Sequence, residues 1–269
     1  MKRRRKYLNN RDLLKEIHKS KNSFCSFVSE GDDRFDIILE SIEKINIRTV
    51  AQAKRNRADR LGKAAYEAAV IDDDTVKQAQ FAVDWKKVPK TDLVFRIMTF
   101  DHVPLEPGRK KTPKRVADHH TQLNFPPFQH FKFNNDSVLD VVGKSHWEGG
   151  MGNGNFNKTH GRVNGELAMM FMKLVERYGT RFNWRNYTYN DEMQGNALAQ
   201  LSYMGLQFNE DKSDNPFSYY TAAITNSFTR VLNLEKKNQN IRDDILEQNG
   251  LNPSYTRQFA QQPNPERDK

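Results

Sequence analysis

The stretch Asn215-Pro-Phe-Ser-Tyr-Tyr-Thr-Ala-Ala-Ile-Thr-Asn-Ser-Phe-Thr-Arg-Val-Leu-Asn-Leu-Glu-Lys-Lys237 carries two periodic stripes. Pro216 suits the first turn of a helix, where its missing N–H is harmless. Phe217, Tyr220, Ile224, Phe228 and Val231 then follow the three-and-four spacing of a buried face. The opposite stripe, Tyr219, Ala223, Asn226, Arg230, Asn233 and Lys237, mixes an aromatic ring, amides and cations, a combination that holds single-stranded DNA by stacking and phosphate contacts. An ordinary amphipathic helix with a solvated polar face has the same periodicity, so the neighbouring segment carries weight.

That neighbour is Tyr187-Thr-Tyr-Asn-Asp-Glu-Met-Gln-Gly-Asn-Ala-Leu-Ala-Gln-Leu-Ser-Tyr-Met-Gly-Leu-Gln-Phe208. Met193, Ala197, Leu201, Met204 and Phe208 form its apolar side. Asp191, Glu192, Gln194, Asn196 and Gln200 line the other, a surface that suits a basic protein and repels phosphate. One helix is thus expected to face protein and the next DNA. Before them, Leu167, Met170, Phe171, Leu174 and Tyr178 share a face of a helix spanning Glu166 to Tyr178.

Further toward the N-terminus the text is mixed. Tyr7 to Ser23 reads as a short amphipathic helix capped at Asn9 or Asn10. Asp33 to Val70 reads as a second helix, with Ile37, Ile38, Ser41, Ile42 and Ile45 as its stripe, the basic cluster Lys54, Arg55, Arg57 and Arg60, and an alanine-rich end. Asp92 to Phe100 reads as a strand. Arg109 to Arg115 holds five basic residues in seven and reads as a loop. Phe125, Phe128, Phe131 and Phe133 with Val138 to Val142 form an aromatic-cored β unit, and the glycine cluster Gly149 to Gly154 reads as a hinge. The tail after Pro253 reads as disordered. The expected domains are 1–23, a helix joining the bundle; 24–162, an α+β insertion; 163–250, a helical domain; and 251–269, a tail.

Composition narrows the function class. The 269 residues carry 43 Lys+Arg against 34 Asp+Glu, a net charge of +9 that favours a polyanionic partner. No run of eighteen or more apolar residues exists, so no membrane partner and a cytoplasmic setting are expected. The single cysteine, Cys25, cannot close an internal disulfide. Paired with His18 it lacks a third orienting residue, and it reads as a structural thiol. Of the seven histidines, His119, His120, His130, His146 and His160 gather around the glycine-rich stretch, but their spacing fits no metal motif. A nuclease centred on His119, His120 and His146 is a distant alternative. The expectation is a non-enzyme without catalytic residues, metal or cofactor.

The order of Tyr7-Leu-Asn-Asn-Arg-Asp-Leu-Leu-Lys-Glu-Ile17, of Glu192-Met193 leading to Gly205-Leu-Gln-Phe208, and of Asn215-Pro through Tyr220-Thr221 to Glu235-Lys236-Lys237 resembles region 2 of bacterial sigma factors. It is most similar to the late-transcription sigma factors of T-even-type bacteriophages, including their cyanophage branch. The resemblance places region 2.1 at Leu167 to Tyr178, region 2.2 at Tyr189 to Phe208, and regions 2.3 to 2.4 at Asn215 to about Arg242. It implies a mainly α fold, a sigma region 2-like helical bundle with a mixed α+β insertion between the N-terminal helix and the bundle.

The same resemblance implies that Asp191, Glu192, Gln194 and Asn196 contact the β′ clamp helices of core RNA polymerase. Gln200 joins them on the same stripe. Phe208, Phe217 and Tyr220 match aromatics around the pocket for a flipped promoter base, while Arg230, Lys236 and Lys237 match positions along the DNA backbone. Tyr219 and Asn226 belong to the DNA-facing stripe by periodicity. Tyr220 keeps two readings, core residue and stacking platform. Ala223 and Ile224 stand where housekeeping sigma factors carry a tryptophan pair that wedges the duplex open. No helix-turn-helix follows region 2. In the phage family a hydrophobic and acidic C-terminal tip grips a sliding clamp, whereas this sequence closes on Gln-Gln-Pro-Asn-Pro-Glu-Arg-Asp-Lys269.

The expected function is therefore a specificity factor for late transcription initiation, acting in the cytoplasm of an infected bacterial host. It binds core RNA polymerase and directs recognition and melting of the −10-like element of promoter DNA, with a sliding clamp or late coactivator as a further partner. The alternative from another class is a polymerase-binding inhibitor or accessory protein that does not read DNA.

Overall fold

The computed structural model describes residues 8–72, 76–104, 123–158 and 161–261. The segment Arg109 to Arg115, His119, His120 and His160 lie outside the described residues. The chain divides into two compact units, one built from Met1–Ala168 with Tyr203–Phe217 and the other from Met169–Ser202 with Ser218–Lys269. The division differs from the expected boundaries at 23, 162 and 250, since the N-terminal helix shares its unit with the sheet.

In the first unit, α1 (Asn10–Asn22) is capped by Asn9, whose side chain accepts from the Asp12 N–H at 2.8 Å. The strands β1 (Cys25–Phe27), β2 (Ile37–Leu39), β3 (Val94–Met98), β4 (Phe128–Phe133) and β5 (Leu139–Ser145) form one sheet in the order β1-β5-β4-β3-β2. Its pairs are antiparallel except β2 with β3. A hairpin of β6 (Trp147–Glu148) and β7 (Asn155–Phe156) follows. The glycine cluster is the turn of this hairpin, not a hinge. Gly149 there has φ +89°, and a Cβ on Gly154 would lie 2.4 Å from the Glu148 carbonyl and the Trp147 indole nitrogen.

The expected mainly α bundle is thereby corrected: among the described residues the chain is α+β, with a five-stranded mixed sheet and a two-stranded one. The misread stretch is Asp33 to Ile45. Its isoleucines fit a helical stripe, yet Ile37, Ile38 and Leu39 pair with Phe95, Arg96 and Ile97 as an edge strand. A short β-branched run satisfies either periodicity, and only the partner strand decides. The helix α2 (Ile47–Asp72) starts where the Asn46 side chain accepts from the Arg48 and Thr49 N–H groups at 2.9 and 3.1 Å.

The two faces of the sheet bury different chemistry. Phe95, Ile97, Phe131 and Phe133 join Leu39, Ala53, Ala58, Val88 and Leu93 in an apolar core, with Ile45, Val50 and Trp85 packed against it. On the alternate register, Arg96 stands opposite His130 and is fully buried. Its Nε donates to His130 Nε2 at 2.9 Å and its Nη2 to Asn22 Oδ1 at 2.6 Å, while Phe35 and Phe128 cover its planar group at 4.0 and 3.8 Å.

Beside this cluster Lys21, also fully buried, donates to both Glu210 carboxylate oxygens at 2.8 Å and to the Phe208 carbonyl at 2.7 Å. The pair ties α1 to a segment 189 residues away. Further ties run from Asn164 to α1: its N–H donates to Ser20 Oγ at 3.3 Å and its side-chain amide to Glu16 at 3.2 Å. Its Oδ1 caps α3 (Gly165–Gly179) by accepting from the Leu167 N–H at 2.8 Å.

Burial acts to raise the Glu210 carboxyl, but the charges of Lys21 and Arg96 and the hydrogen bonds from Lys21 outweigh it and hold the carboxyl below its ordinary range. Glu210→Gln is expected to cost about 3–5 kcal/mol by leaving Lys21 charged and unpaired, and the double replacement Lys21→Met with Glu210→Leu to recover most of that in urea unfolding. Two half-buried histidines set a pH limit as well. Burial lowers His18 to about 3, assisted by the Arg96 charge, and lowers His102 to about 4. Both are neutral in the fold and bind protons only when unfolded, so stability is full above about pH 6.5 and declines as the pH falls from there toward 4. The urea midpoint is expected to drop between pH 7 and pH 5, and His102→Asn to flatten that slope.

Candidate functional site on the helices of the second unit

The second unit takes most of α3, α4 (Asn190–Met204) and α5 (Pro216–Gln248), and the short α6 (Tyr255–Gln261). Its core comes mostly from the apolar stripes read in the sequence: Phe171, Leu174 and Tyr178 on α3, Met193, Ala197 and Leu201 on α4, and Tyr220, Ile224, Phe228 and Val231 on α5 are buried, joined by Val175 and Ala223, which lay outside those stripes. Phe171 meets Tyr220 edge-on at 4.7 Å, and Tyr178 and Trp184 each meet Phe228 at 5.3 Å. The Tyr178 hydroxyl lies 2.5 Å from Thr225 Oγ1.

With those stripes inward, the polar residues of α4 face out. Asp191, Glu192, Asn196 and Gln200 are exposed, and Glu192, Asn196 and Gln200 form one line at four-residue steps. Gln194 differs. It is half-buried and donates to Asn190 Oδ1 at 2.6 Å, while Asn190 donates to the Gly179 and Trp184 carbonyls at 3.0 and 2.7 Å. Gln194 thus braces the 180–189 turn and presents less of itself to a partner.

The polar stripe of α5 also faces out. Asn226, Arg230, Asn233, Lys236 and Lys237 are exposed. Tyr219 is half-buried, and burial raises its phenol above the ordinary range. Ala223, read on the same stripe, is buried. Tyr220 takes the core reading, with no exposed surface, and cannot stack on a base from that position. Phe208 and Phe217 belong to the first unit. Phe208 is buried at 2% exposure, whereas Phe217, read in the sequence as buried, is 36% exposed, and its N–H donates to Asn10 Oδ1 at 3.0 Å. Of the three rings assigned to a base pocket, two are interior.

The sequence reading passed over the 180–189 turn. Phe182 is 75% exposed, with Arg185 5.2 Å from its ring centre, and Arg181 sits over Tyr178 at 4.3 Å. A recess of about 480 Å³ brings Arg185, Tyr187 and Thr188 together with Asp191 and Gln194. The signal was visible as cations interleaved with rings in Arg181-Phe-Asn-Trp-Arg185. At its far end α5 turns back through Ser254, which donates from N and Oγ to Asp243 at 2.8 and 2.7 Å, and Arg257 pairs with Asp244 and Glu247 at 2.6 and 3.0 Å. Tyr255–Gln261 of the expected tail is therefore helical.

The remaining candidates take structural places in the first unit. Cys25 donates to the Lys21 carbonyl at 3.1 Å, and burial pushes its thiol up to about 12, far from a nucleophile's range. His130 and His146 are buried among aromatic rings. Among the described residues no three His, Cys, Asp or Glu side chains converge as a metal-ligand set, and no helix is long and apolar enough to cross a membrane. Compared with protein-family models, curated proteins and solved structures, the chain matches none.

Tyr220→Ala is expected to destabilise the second unit by about 3–5 kcal/mol in denaturant unfolding, as the loss of a buried ring does. Asn190→Ala is expected to cost about 1–3 kcal/mol and to speed amide hydrogen exchange across 180–189 ahead of the rest of the unit.

Proposed function

We propose that this protein is a sigma-like specificity factor that binds core RNA polymerase through the outward face of α4 and promoter DNA through the outward face of α5, in the cytoplasm of an infected bacterial host. The observation that carries this is the exposure of two chemically opposed stripes on one unit: Glu192, Asn196 and Gln200 on one helix, Asn226, Arg230, Asn233 and Lys237 on the next. Carboxylates and amides suit the basic surface of a protein partner. Cations and amides suit phosphates and unpaired bases. The sequence resemblance to late-transcription sigma factors supplies the identity of both partners, and a sliding clamp or coactivator belongs to the same reading.

The interior position of Tyr220 and Phe208 favours a second reading, a polymerase-binding accessory protein that contacts DNA without capturing a base. Under the first reading, base capture falls to Tyr219, the half-buried ring on the outward side of α5. Run-off transcription from a late promoter with core enzyme separates the two, because only a specificity factor starts RNA at a defined position. The first reading expects a discrete transcript, lost in Arg230→Glu with Lys237→Glu while core binding persists; no defined start with the wild-type chain overturns it. Glu192→Lys is expected to weaken recovery of core polymerase about tenfold in a pull-down, and equal recovery would remove α4 from the interface.

A further inference from the structure

We propose that the groove between α1, the 33–35 turn and α2 in the first unit is a separate site for the sugar–phosphate backbone of a nucleic acid strand. The groove encloses about 970 Å³. Arg11, Lys15 and Lys19 line one wall at four-residue steps along α1, each advancing about 6 Å. That spacing matches the separation of successive phosphates along an extended strand. The far side of α1 carries the buried Leu13 and Ile17, so its cationic edge is fixed outward. Lys63 on α2 and Arg34 on the turn complete the lining.

These five cations are distinguished from their neighbours by having no partner. Arg57 and Arg60, beside them on α2, are committed to Asp36 at 3.4 and 2.7 Å, and Arg60 also donates to the Phe35 carbonyl at 2.7 Å. Among the described residues no carboxylate lies within ion-pair distance of Arg11, Lys15, Lys19, Arg34 or Lys63. Asp33, Asp59 and Glu67 also line the groove, so with Arg60 committed to Asp36 the lining holds five uncommitted cations against three carboxylates.

What lies behind is Arg96. Its guanidinium is buried against Phe35, bonded to Asn22, and both of those residues line the groove. Among the described residues its Nη1 has no hydrogen-bond partner and no carboxylate lies within ion-pair distance of it. An unpaired buried cation projects its field through the low-dielectric wall into the groove, where water screens it less than on an open surface. His18, itself a lining residue, is lowered first by burial and then by the Arg96 charge.

The chemistry of the lining selects a nucleic acid backbone over an acidic peptide. A peptide gains affinity from side chains buried in apolar pockets, and here Phe35 and Ala64 are the apolar lining. Phe35 is already covered by His18 at 4.9 Å and by Arg96. A phosphate backbone needs only cations at regular spacing. The site does not depend on the α5 face and stands whether or not that face binds DNA.

The test is fluorescence anisotropy of a labelled mixed-sequence single-stranded oligonucleotide with the full chain across a salt series. Lys15→Glu with Lys63→Glu is expected to weaken binding about tenfold at ~0.1 M salt and to reduce the slope of log K against log salt by about 1.4, two contacts at about 0.7 each. Lys15→Arg with Lys63→Arg is expected to keep both. Unchanged affinity and slope in the charge-reversed protein overturns the proposal, as does an equal loss in the arginine pair or displacement of the oligonucleotide by poly-glutamate as readily as by unlabelled DNA. Arg230→Glu with Lys237→Glu, run in parallel, reports on α5 alone: if it changes nothing while the groove variant weakens binding, the α5 assignment falls and the groove stands.

Discussion

The first unit is organised around charge that has been taken out of water. Lys21 and Glu210 meet at 2.8 Å with neither exposed to any useful extent, and Arg96 lies fully buried beside them. Desolvating such groups costs several kcal/mol per ion unless each is held by good geometry and further hydrogen bonds. Lys21 therefore also donates to Phe208, and Arg96 donates to His130 and Asn22 between two phenyl faces. These demands hold α1, β3, β4 and the 208–210 segment against one another, because separating them strips buried ions of the hydrogen bonds that hold them.

Several peculiarities of the unit descend from that constraint. His130 must be neutral to accept from Arg96, and burial together with the Arg96 charge keeps it so. Cys25 is protonated because it sits in the same dry interior. Asp36, at the rim, anchors two arginines and the Val94 N–H, bonding the latter at 2.9 Å, and so fastens α2 to the sheet edge. The second unit follows a different rule. Its interior is mainly rings and aliphatic chains, with Ser227 and Asp243 as buried exceptions, and the functional reading rests on the faces of α4 and α5.

The helices of the second unit were legible residue by residue. Spacing alone placed Met193, Ala197, Leu201, Ile224 and Phe228 inside and Glu192, Asn196, Arg230 and Lys237 outside, because a long amphipathic helix has one way to bury its stripe. Legibility failed at positions whose burial the stripe alone does not set, Ala223 among them. Tyr220 and Phe217 fall on the same stripe, yet Tyr220 has no exposed surface, packed against Phe171, and Phe217 is 36% exposed. Gln194 looked like its exposed companions until Asn190 claimed it. The α+β character of the chain was under-read for a related reason, since Ile37 to Leu39 has no strand identity without β3 beside it.

By itself the sequence determined the periodic faces, a helix cap at Asn9 or Asn10 and the basic balance of the chain, properties that need no partner brought from far along the chain. Tertiary structure alone decided that Lys21 would meet Glu210, that Arg96 would be entombed between Phe35 and Phe128, and that the cations of α1 and α2 would face one groove. Those pairings join residues scores of positions apart. Nothing local distinguishes a lysine that will be buried from one left to water: the choice is made by which distant carboxylate the folded chain brings within reach.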